Sequence, residues 1–203
     1  MAINYAMKKI ILASASPRRK ELLEKISLKF EVDASGCDEE ITSGLDPQEI
    51  VQQLSIIKAK SVAARHKNAI VIAADTIGVI GDRILGKPHT KNEARKMLRA
   101  ISGKSHSVIT GFSIIDTTTD KIVTGTVDTR VYIKKLSDEE IDAYVATGEP
   151  LDKAGAYAIQ GMGAVIVEKI EGDYYNVMGL PLHALAEALK EFGIYVLGNI
   201  PSK

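Results

Sequence analysis

Residues 9–19, KIILASASPRR, decide the start of the fold, because an apolar run leads directly into a helix start. Residues 9–13 predict a strand that is buried on both faces, as in the interior of an α/β sheet. Ser16 followed by Pro17 is typical of the N-cap and the first residue of a helix. Arg18 and Arg19 then place positive charge in the first turn of that helix.

The rest of the chain mixes predicted strands and helices without strict alternation. Strands are predicted at residues 30–32, 69–74, 84–85, 107–116, 121–133 and 164–170, with a hairpin turn at Gly81-Asp82. Helices are predicted to begin at Asp46, Thr90 and Ser137, and a last helix covers residues 180–192. Residues 174–176 are predicted to lie in a turn. The pattern predicts an α/β protein with a mixed sheet flanked by helices, and two lobes around a cleft.

Composition restricts the class of protein. The 203 residues hold 26 Lys and Arg against 26 Asp and Glu, so the formal net charge is zero. We therefore expect no nucleic-acid partner and no anionic membrane partner, since both need a basic field. Cys37 is the one cysteine, which excludes an internal disulfide. Since the chain also lacks the run of about 18 apolar residues that a membrane span needs, we expect a cytoplasmic protein.

The segment at 12–19 is the first candidate site, for a phosphate group. Free backbone N–H groups at a helix start attract anions, and Ser14, Ser16 and the two arginines add hydroxyl and guanidinium donors. The alternative is a capped helix with a solvated basic first turn. Arginine is mildly disfavoured by the helix dipole at this end, which favours an anion as its partner. The segment is not a Walker A loop.

Four more side chains are candidates, each with a plain alternative. Asp75 follows an apolar strand, where α/β sheets place catalytic groups, but an exposed turn aspartate is as common. Lys87 lies in the rigid turn Gly86-Lys87-Pro88, where most lysines are simply solvated. Glu39 lies in an acidic run that fits Mg²⁺ or a solvated loop. Lys58 lies among apolar residues of a helix, so its side chain either snorkels to solvent or points into a cleft.

Residues 148–161, GEPLDKAGAYAIQG, are glycine-rich, which is typical of backbone that approaches a ligand closely. The amide of Gln160 fits a donor and an acceptor on the edge of a nucleobase. A glycine-rich connection between elements is the alternative. The four histidines have no metal-ligand spacing, so a zinc site is not expected.

Six motifs in order extend this pattern over most of the chain. They are LASASPRR at 12–19, ADT at 74–76, GKP at 86–88, SGKSH at 102–106, DKAGAYAIQG at 152–161 and NVMGLPL at 176–182. Together they resemble the Maf family of nucleoside triphosphate pyrophosphatases, over residues 9–192. One departure is Ile133, where the family pattern has phenylalanine.

The resemblance implies one domain over residues 1–203, with residues 1–8 and 194–203 peripheral. It implies a fold similar to the inosine triphosphatase-like fold, with the nucleotide in the cleft between two lobes. The implied reaction is metal-assisted attack of water at the α-phosphorus, with Mg²⁺ or Mn²⁺ as the cofactor. The products are a nucleoside monophosphate and pyrophosphate. The implied partners are the nucleoside triphosphate and a second copy in a homodimer.

The resemblance also assigns roles to residues. It implies that Asp75 is the proton acceptor, that Lys87 is catalytic and that Glu39 and Asp75 hold the metal. The residues implied to bind substrate are Ser14, Arg18, Arg19, Lys58, Thr76 and Gln160. Arg18, Thr76 and Gln160 match the branch of the family that acts on dTTP and UTP. The implied substrates of this branch extend to modified pyrimidine nucleotides.

Three other classes of function stay open from the sequence. The family has also been linked to arrest of septum formation, so a nucleotide-binding regulator of cell division without catalysis is the main alternative. A pure phosphate binder has no need of the carboxylates Asp75 and Glu39, which favours an enzyme. A phosphatase or a nucleotidyltransferase would share the cations but release different products.

Overall fold

The structure, a computed structural model, describes residues 8–36 and 45–198. Within these ranges the strands are β1 (Lys9–Leu12), β2 (Glu31–Val32), β3 (Ala69–Ile80), β4 (Arg83–Leu85), β5 (Ser105–Asp116), β6 (Ile122–Ile133) and β7 (Val167–Glu171). The α-helices are α1 (Pro17–Lys25), α2 (Pro47–Ala63), α3 (Lys91–Ile101), α4 (Asp138–Ala146), α5 (Tyr174–Met178) and α6 (Leu182–Lys190). Short 3-10 turns span Glu149–Asp152, Ala154–Ala156 and Met162–Val165.

The strands form one mixed sheet in the order β2-β1-β3-β5-β6-β7, with β4 paired to β3. β1 is parallel to both β2 and β3, whereas β4 is antiparallel to β3 and β7 is antiparallel to β6. Helices flank this sheet. The predicted α/β class with a mixed sheet is confirmed.

The chain divides into two compact units, in agreement with the expectation of two lobes. The first contains the described residues up to Asp75, Gly111–Thr126 and the described residues from Gly179 onward. The second contains Thr76–Thr110 and Val127–Met178. None of the helices in the described part of the chain is long and apolar enough to cross a membrane.

The adjacent strands β1 and β3 occupy the core of the first unit. Ile11 and Leu12 of β1 are completely buried, and so are Val71 and Ile72 of β3. The two strands are in parallel register, with Leu12 opposite Ile72. The N–H of Ala13, the residue after Leu12, donates to the carbonyl oxygen of Ile72 at 2.7 Å, so the chain that leaves β1 runs beside the middle of β3.

Capping explains where the helices begin. Asp46, Thr90 and Ser137 each accept a hydrogen bond from the backbone of the first helical turn, and a glutamate three residues later bonds back to complete a capping box. Ser16 lies at the N-cap position of α1, as predicted, but its side chain makes no capping hydrogen bond.

Three predictions of secondary structure were wrong in their details. Strand β3 continues past Asp75 to Ile80, because residues 78–80 pair with β4. The last strand begins at Val167, since Met162–Val165 forms a 3-10 turn. Residues 174–176 belong to the short helix α5 rather than a turn, because the Asp173 carboxylate accepts hydrogen bonds from the backbone of Tyr175 and Asn176.

His106 is buried in the second unit and makes stability depend on pH. Its Nε2 lies 3.0 Å from the Tyr157 hydroxyl, and its Nδ1 has no hydrogen-bond partner among the described residues. Burial lowers the pKa of His106 from 6.5 to about 4. Below pH 6.5 the unfolded chain therefore takes up a proton that the folded chain does not, which favours unfolding.

We expect the free energy of unfolding to fall by about 3 kcal/mol as the pH drops from 6.5 to 4, from His106 alone. Above pH 6.5 His106 is neutral in both the folded and the unfolded chain, so this loss of stability is absent. Urea unfolding at a series of pH values measures it, and His106→Gln should flatten the profile in this window. His89→Gln is the control, because His89 is exposed in the same unit. An unchanged profile in His106→Gln would contradict the buried neutral imidazole.

Candidate functional site

Ser14 and Arg19 lie together at the start of α1, in the first unit. The Ser14 hydroxyl oxygen accepts hydrogen bonds from the backbone N–H of Ser16 and from Arg19 Nη1, both at 3.2 Å. Arg19 Nε donates to the carbonyl oxygen of Gly179 at 2.9 Å. These bonds fix a guanidinium and a hydroxyl beside a helix N-terminus. Arg18 is half-buried next to them in the first turn. Such an arrangement is suited to binding phosphate oxygens.

Lys58 and Asp75 form a buried ion pair in the same unit. Lys58 is on α2 and is 9% exposed, and Asp75 is on β3 and is 7% exposed. Lys58 Nζ donates a hydrogen bond to Asp75 Oδ1. The sequence left open whether Lys58 snorkels to solvent or points inward. The structure shows that it points inward, to the carboxylate.

The two pairs lie where the chain leaves β1, beside the middle of β3. Ser14 is two residues beyond Leu12 and Asp75 is three residues beyond Ile72, and Leu12 and Ile72 are opposite each other in register. Successive residues of a strand advance about 3.3 Å, and neighbouring strands are about 4.8 Å apart. The first unit therefore brings four of the predicted site residues, Ser14, Arg19, Lys58 and Asp75, close to the carboxyl end of β1.

The second unit holds Thr76, Lys87 and Gln160. Thr76 is half-buried, and its hydroxyl oxygen is 3.0 Å from that of Thr110. Thr110 in turn donates to the carbonyl oxygen of Asn176 at 3.1 Å. Lys87 and Gln160 are exposed. Thr76 is thus held by a hydrogen-bond chain, whereas the side chains of Lys87 and Gln160 face solvent.

The backbone connects the segments that carry Lys87 and Gln160. The N–H of Gly155 donates to the carbonyl oxygen of Gly86 at 3.2 Å. Gly155 has a φ of +75°, a left-handed conformation that glycine adopts without strain. The GKP turn and the glycine-rich segment therefore lie against each other, as expected if both serve one ligand.

Sequence reasoning missed the polar groups that support these residues. Glu149 and Tyr144 bond to the backbone on both sides of Gln160. Asn176 is buried and donates to the Val108 carbonyl and to Thr129. The position of Glu149 within a glycine-rich run was the only available signal, and it did not indicate the partners of this carboxylate.

Part of the expected metal site lies outside the described residues. Glu39, predicted as a metal ligand, lies in residues 37–44. Within residues 8–36 and 45–198, no group of three His, Cys, Asp or Glu side chains could hold a metal ion. Mg²⁺ in nucleotide sites usually takes only one or two carboxylates, together with substrate phosphates and water. A buried carboxylate such as Asp75, near a helix start that is suited to phosphate oxygens, fits that donor set.

Comparison with solved structures gives remote similarities. The chain is 18% identical to the Ham1 protein of Staphylococcus aureus, with a TM-score of 0.41 over 61% of this chain and 72% of that one. It is 14% identical to a nucleoside-triphosphatase (dITP/XTP pyrophosphatase) of Mycobacterium abscessus, with a TM-score of 0.38 over 63% of this chain and 75% of that one.

Comparison with sequences gives much stronger similarities, over nearly the whole chain. A protein named dTTP/UTP pyrophosphatase from Alkaliphilus metalliredigens is 52% identical over 94% of this chain and 100% of its own length. A protein of the same name from Thermoanaerobacter sp. strain X514 is 54% identical over 93% of this chain and 100% of its own length. The family model described as Maf-like protein matches residues 9–192. This chain therefore belongs to the Maf-like protein family.

Proposed function

We propose that this protein is a nucleoside triphosphate pyrophosphatase that hydrolyses dTTP and UTP to the nucleoside monophosphate and pyrophosphate. Relatives that are 52–54% identical over nearly their full length have this name. The structural observation that supports it best is the buried Lys58–Asp75 pair beside the Ser14–Arg19 cluster. The Asp75 carboxylate can accept a proton, and Ser14, Arg19 and Lys58 can donate hydrogen bonds to phosphate oxygens.

Cationic side chains offset the charge of the triphosphate in this proposal. Arg18 and Arg19 bind phosphate oxygens at the start of α1, and Lys58 and Lys87 add positive charge. This matters most as pyrophosphate leaves, because negative charge then develops on the departing oxygen. The fixed guanidinium of Arg19 is already oriented by Ser14 and Gly179, so little reorganisation is needed when the substrate binds.

Asp75 accepts the proton from the attacking water. Its Oδ1 is held by Lys58, which orients the carboxylate and leaves the other oxygen to accept the proton. The water oxygen bonds to the α-phosphorus as the bond to the oxygen that bridges the α- and β-phosphates breaks. That oxygen leaves with pyrophosphate. A divalent metal, Mg²⁺ or Mn²⁺, held by Asp75 and Glu39, would supply Lewis-acid polarisation of the phosphate oxygens.

The preference for a pyrimidine is assigned to Arg18, Thr76 and Gln160. The amide of Gln160 offers both a donor and an acceptor, which matches the edge of thymine or uracil. Thr76 is held by Thr110, so its hydroxyl keeps a fixed position. The proposal further includes a cytoplasmic location, which is the expectation from composition, and a homodimer, which the family resemblance implies.

The test is an assay of the purified protein with Mg²⁺ and a panel of nucleoside triphosphates. We expect pyrophosphate with dTMP or UMP, and slower release from GTP and ATP. Products are separated so that pyrophosphate is distinguished from orthophosphate. Orthophosphate as the first product would place the cleavage at another bond and overturn the proposal. Tight nucleotide binding without any product would instead favour a regulator.

A further inference from the structure

A pair of side chains in the second unit holds the loop that carries Gln160. Glu149 Oε1 accepts hydrogen bonds from the Tyr144 hydroxyl at 2.7 Å and from the N–H of Gly163 at 3.0 Å. Glu149 Oε2 accepts from the N–H of Met162 at 3.0 Å. The Tyr144 hydroxyl oxygen accepts from the N–H of Ala158 at 3.0 Å. Three backbone amides flanking Gln160 are thus bound by two side chains.

The glycines of the loop make room for this carboxylate. A Cβ at position 161 would lie 2.1 Å from Glu149 Oε2, and a Cβ at position 163 would lie 2.7 Å from the Tyr144 hydroxyl. Real Cβ atoms do not approach other atoms so closely. The loop backbone therefore packs directly on the carboxylate and the hydroxyl, without intervening side chains.

The protonation states suit these roles. Partial burial acts to raise the pKa of Glu149, but the hydrogen bonds from Tyr144, Gly163 and Met162 outweigh it, and the pKa is lowered. Burial raises the pKa of Tyr144, and the hydrogen bond to Glu149 raises it further. At neutral pH the glutamate is an acceptor and the tyrosine a donor, as the contacts require.

We propose that Glu149, together with Tyr144, is a positioning residue that sets nucleobase preference by fixing the loop that presents Gln160. The inference rests on the proposed function, in which Gln160 contacts the base. Gln160 is exposed, and its side chain makes no hydrogen bond with another residue of the described part of the chain. Its backbone is instead fixed from both sides, by Ala158 before it and by Met162 and Gly163 after it. A side chain that reads hydrogen bonds needs such a fixed base to discriminate between substrates.

The test is a double-mutant cycle of Glu149→Gln and Gln160→Ala. Glutamine keeps the size of Glu149 but has one acceptor oxygen, so one backbone N–H faces an NH₂ group. We expect Glu149→Gln to lower the ratio of kcat/KM for dTTP to that for GTP about tenfold, the effect of disturbing one charged hydrogen-bond acceptor. In the Gln160→Ala background, Glu149→Gln should change this ratio no further. Hydrogen exchange at residues 158–163 should become faster in Glu149→Gln.

The control is Glu168→Gln, an exposed glutamate in β7 of the same unit, which should leave the ratio unchanged. A proportional loss for dTTP and GTP in Glu149→Gln would overturn the inference and leave the proposed function intact. If Glu149→Gln changes the dTTP-to-GTP ratio equally in the parent and in the Gln160→Ala background, the inference is also overturned and the proposed function stays intact. Failure of the parent protein to hydrolyse dTTP would overturn the proposed function, and this inference with it. If Glu149→Gln does not fold, Tyr144→Phe replaces it, since it removes the acceptor of the Ala158 N–H.

Discussion

Asp75→Asn is expected to lower turnover of dTTP by about 10²-fold or more while the protein stays folded. The amide cannot accept the proton from water, so the attacking nucleophile is no longer activated. The amide oxygen can still accept the hydrogen bond from Lys58, so the buried ammonium keeps an acceptor at this position. The measurement is kcat from pyrophosphate release, together with thermal unfolding.

Comparison with Asp75→Ala separates catalysis from stability. Alanine removes the acceptor altogether, and removing one partner of a buried ion pair costs about 3–5 kcal/mol. Asp75→Ala should therefore unfold at a clearly lower temperature than Asp75→Asn, although both lose turnover.

The chain offers a matched control in the same unit. Asp116 is also buried and paired with a lysine, Lys8, at 2.7 Å. The Lys8 and Thr118 hydrogen bonds lower the pKa of Asp116 against the opposing effect of its burial. Asp116→Asn also replaces a buried, lysine-paired carboxylate by an amide, so its effect on the unfolding temperature should be similar to that of Asp75→Asn. Its turnover, however, should stay close to that of the parent. A folded Asp75→Asn protein with near-normal turnover would remove Asp75 from the role of proton acceptor.

The sequence predicted the fold well where the signal was local. The strand and helix at residues 9–25 follow from an apolar run and the Ser-Pro pair, and the helices at 47 and 91 follow from caps. The predicted end of β3 was wrong, because the polar pair Asp75-Thr76 resembles the end of a strand. The strand continues because later residues pair with β4, and that pairing depends on contacts that the apolar run does not reveal.

The sequence predicted the types of residue at the candidate site better than their contacts. Lys58 and Asp75 are 17 positions apart on different elements, so no spacing rule joins them. Whether a lysine on a helix points to solvent or inward depends on what packs beside it. The hydrogen bonds that Glu149 accepts from the N–H groups of residues 162 and 163 are equally invisible in the sequence. They depend on how the 3-10 turn at these residues folds back onto Glu149.

Close backbone contacts are the least visible in a sequence, and Gly111 in β5 shows why. It has no motif around it and no left-handed conformation to require glycine. Its role comes from helix α2, whose backbone lies directly on it. A Cβ at position 111 would lie 2.5 Å from both the carbonyl carbon and the carbonyl oxygen of Val51. Nearby, the hydroxyl oxygens of Ser55 and Ser113 are 2.6 Å apart, which confirms that helix and strand are in close contact.

Gly111→Ala should therefore destabilise the protein by about 3 kcal/mol, at the upper end of the usual cost of overpacking. The obstructing atoms are backbone, so they cannot rotate away as a side chain would, and α2 must shift as a body. Urea unfolding measures this as a lower midpoint at an unchanged slope. Gly86→Ala is the control for stability, since a Cβ there meets nothing within 4 Å.

The same substitution links packing to the proposed chemistry. Lys58 is on α2, so a shift of the helix moves its ammonium relative to Asp75. Below its unfolding temperature, Gly111→Ala should have a lower kcat than the parent even though it has lost no functional group. A displacement of about 1 Å is enough to cost up to 10²-fold in rate. An unfolding midpoint equal to that of the parent would contradict the backbone contact itself. A lower midpoint with unchanged kcat would show that the contact stabilises the fold without positioning Lys58.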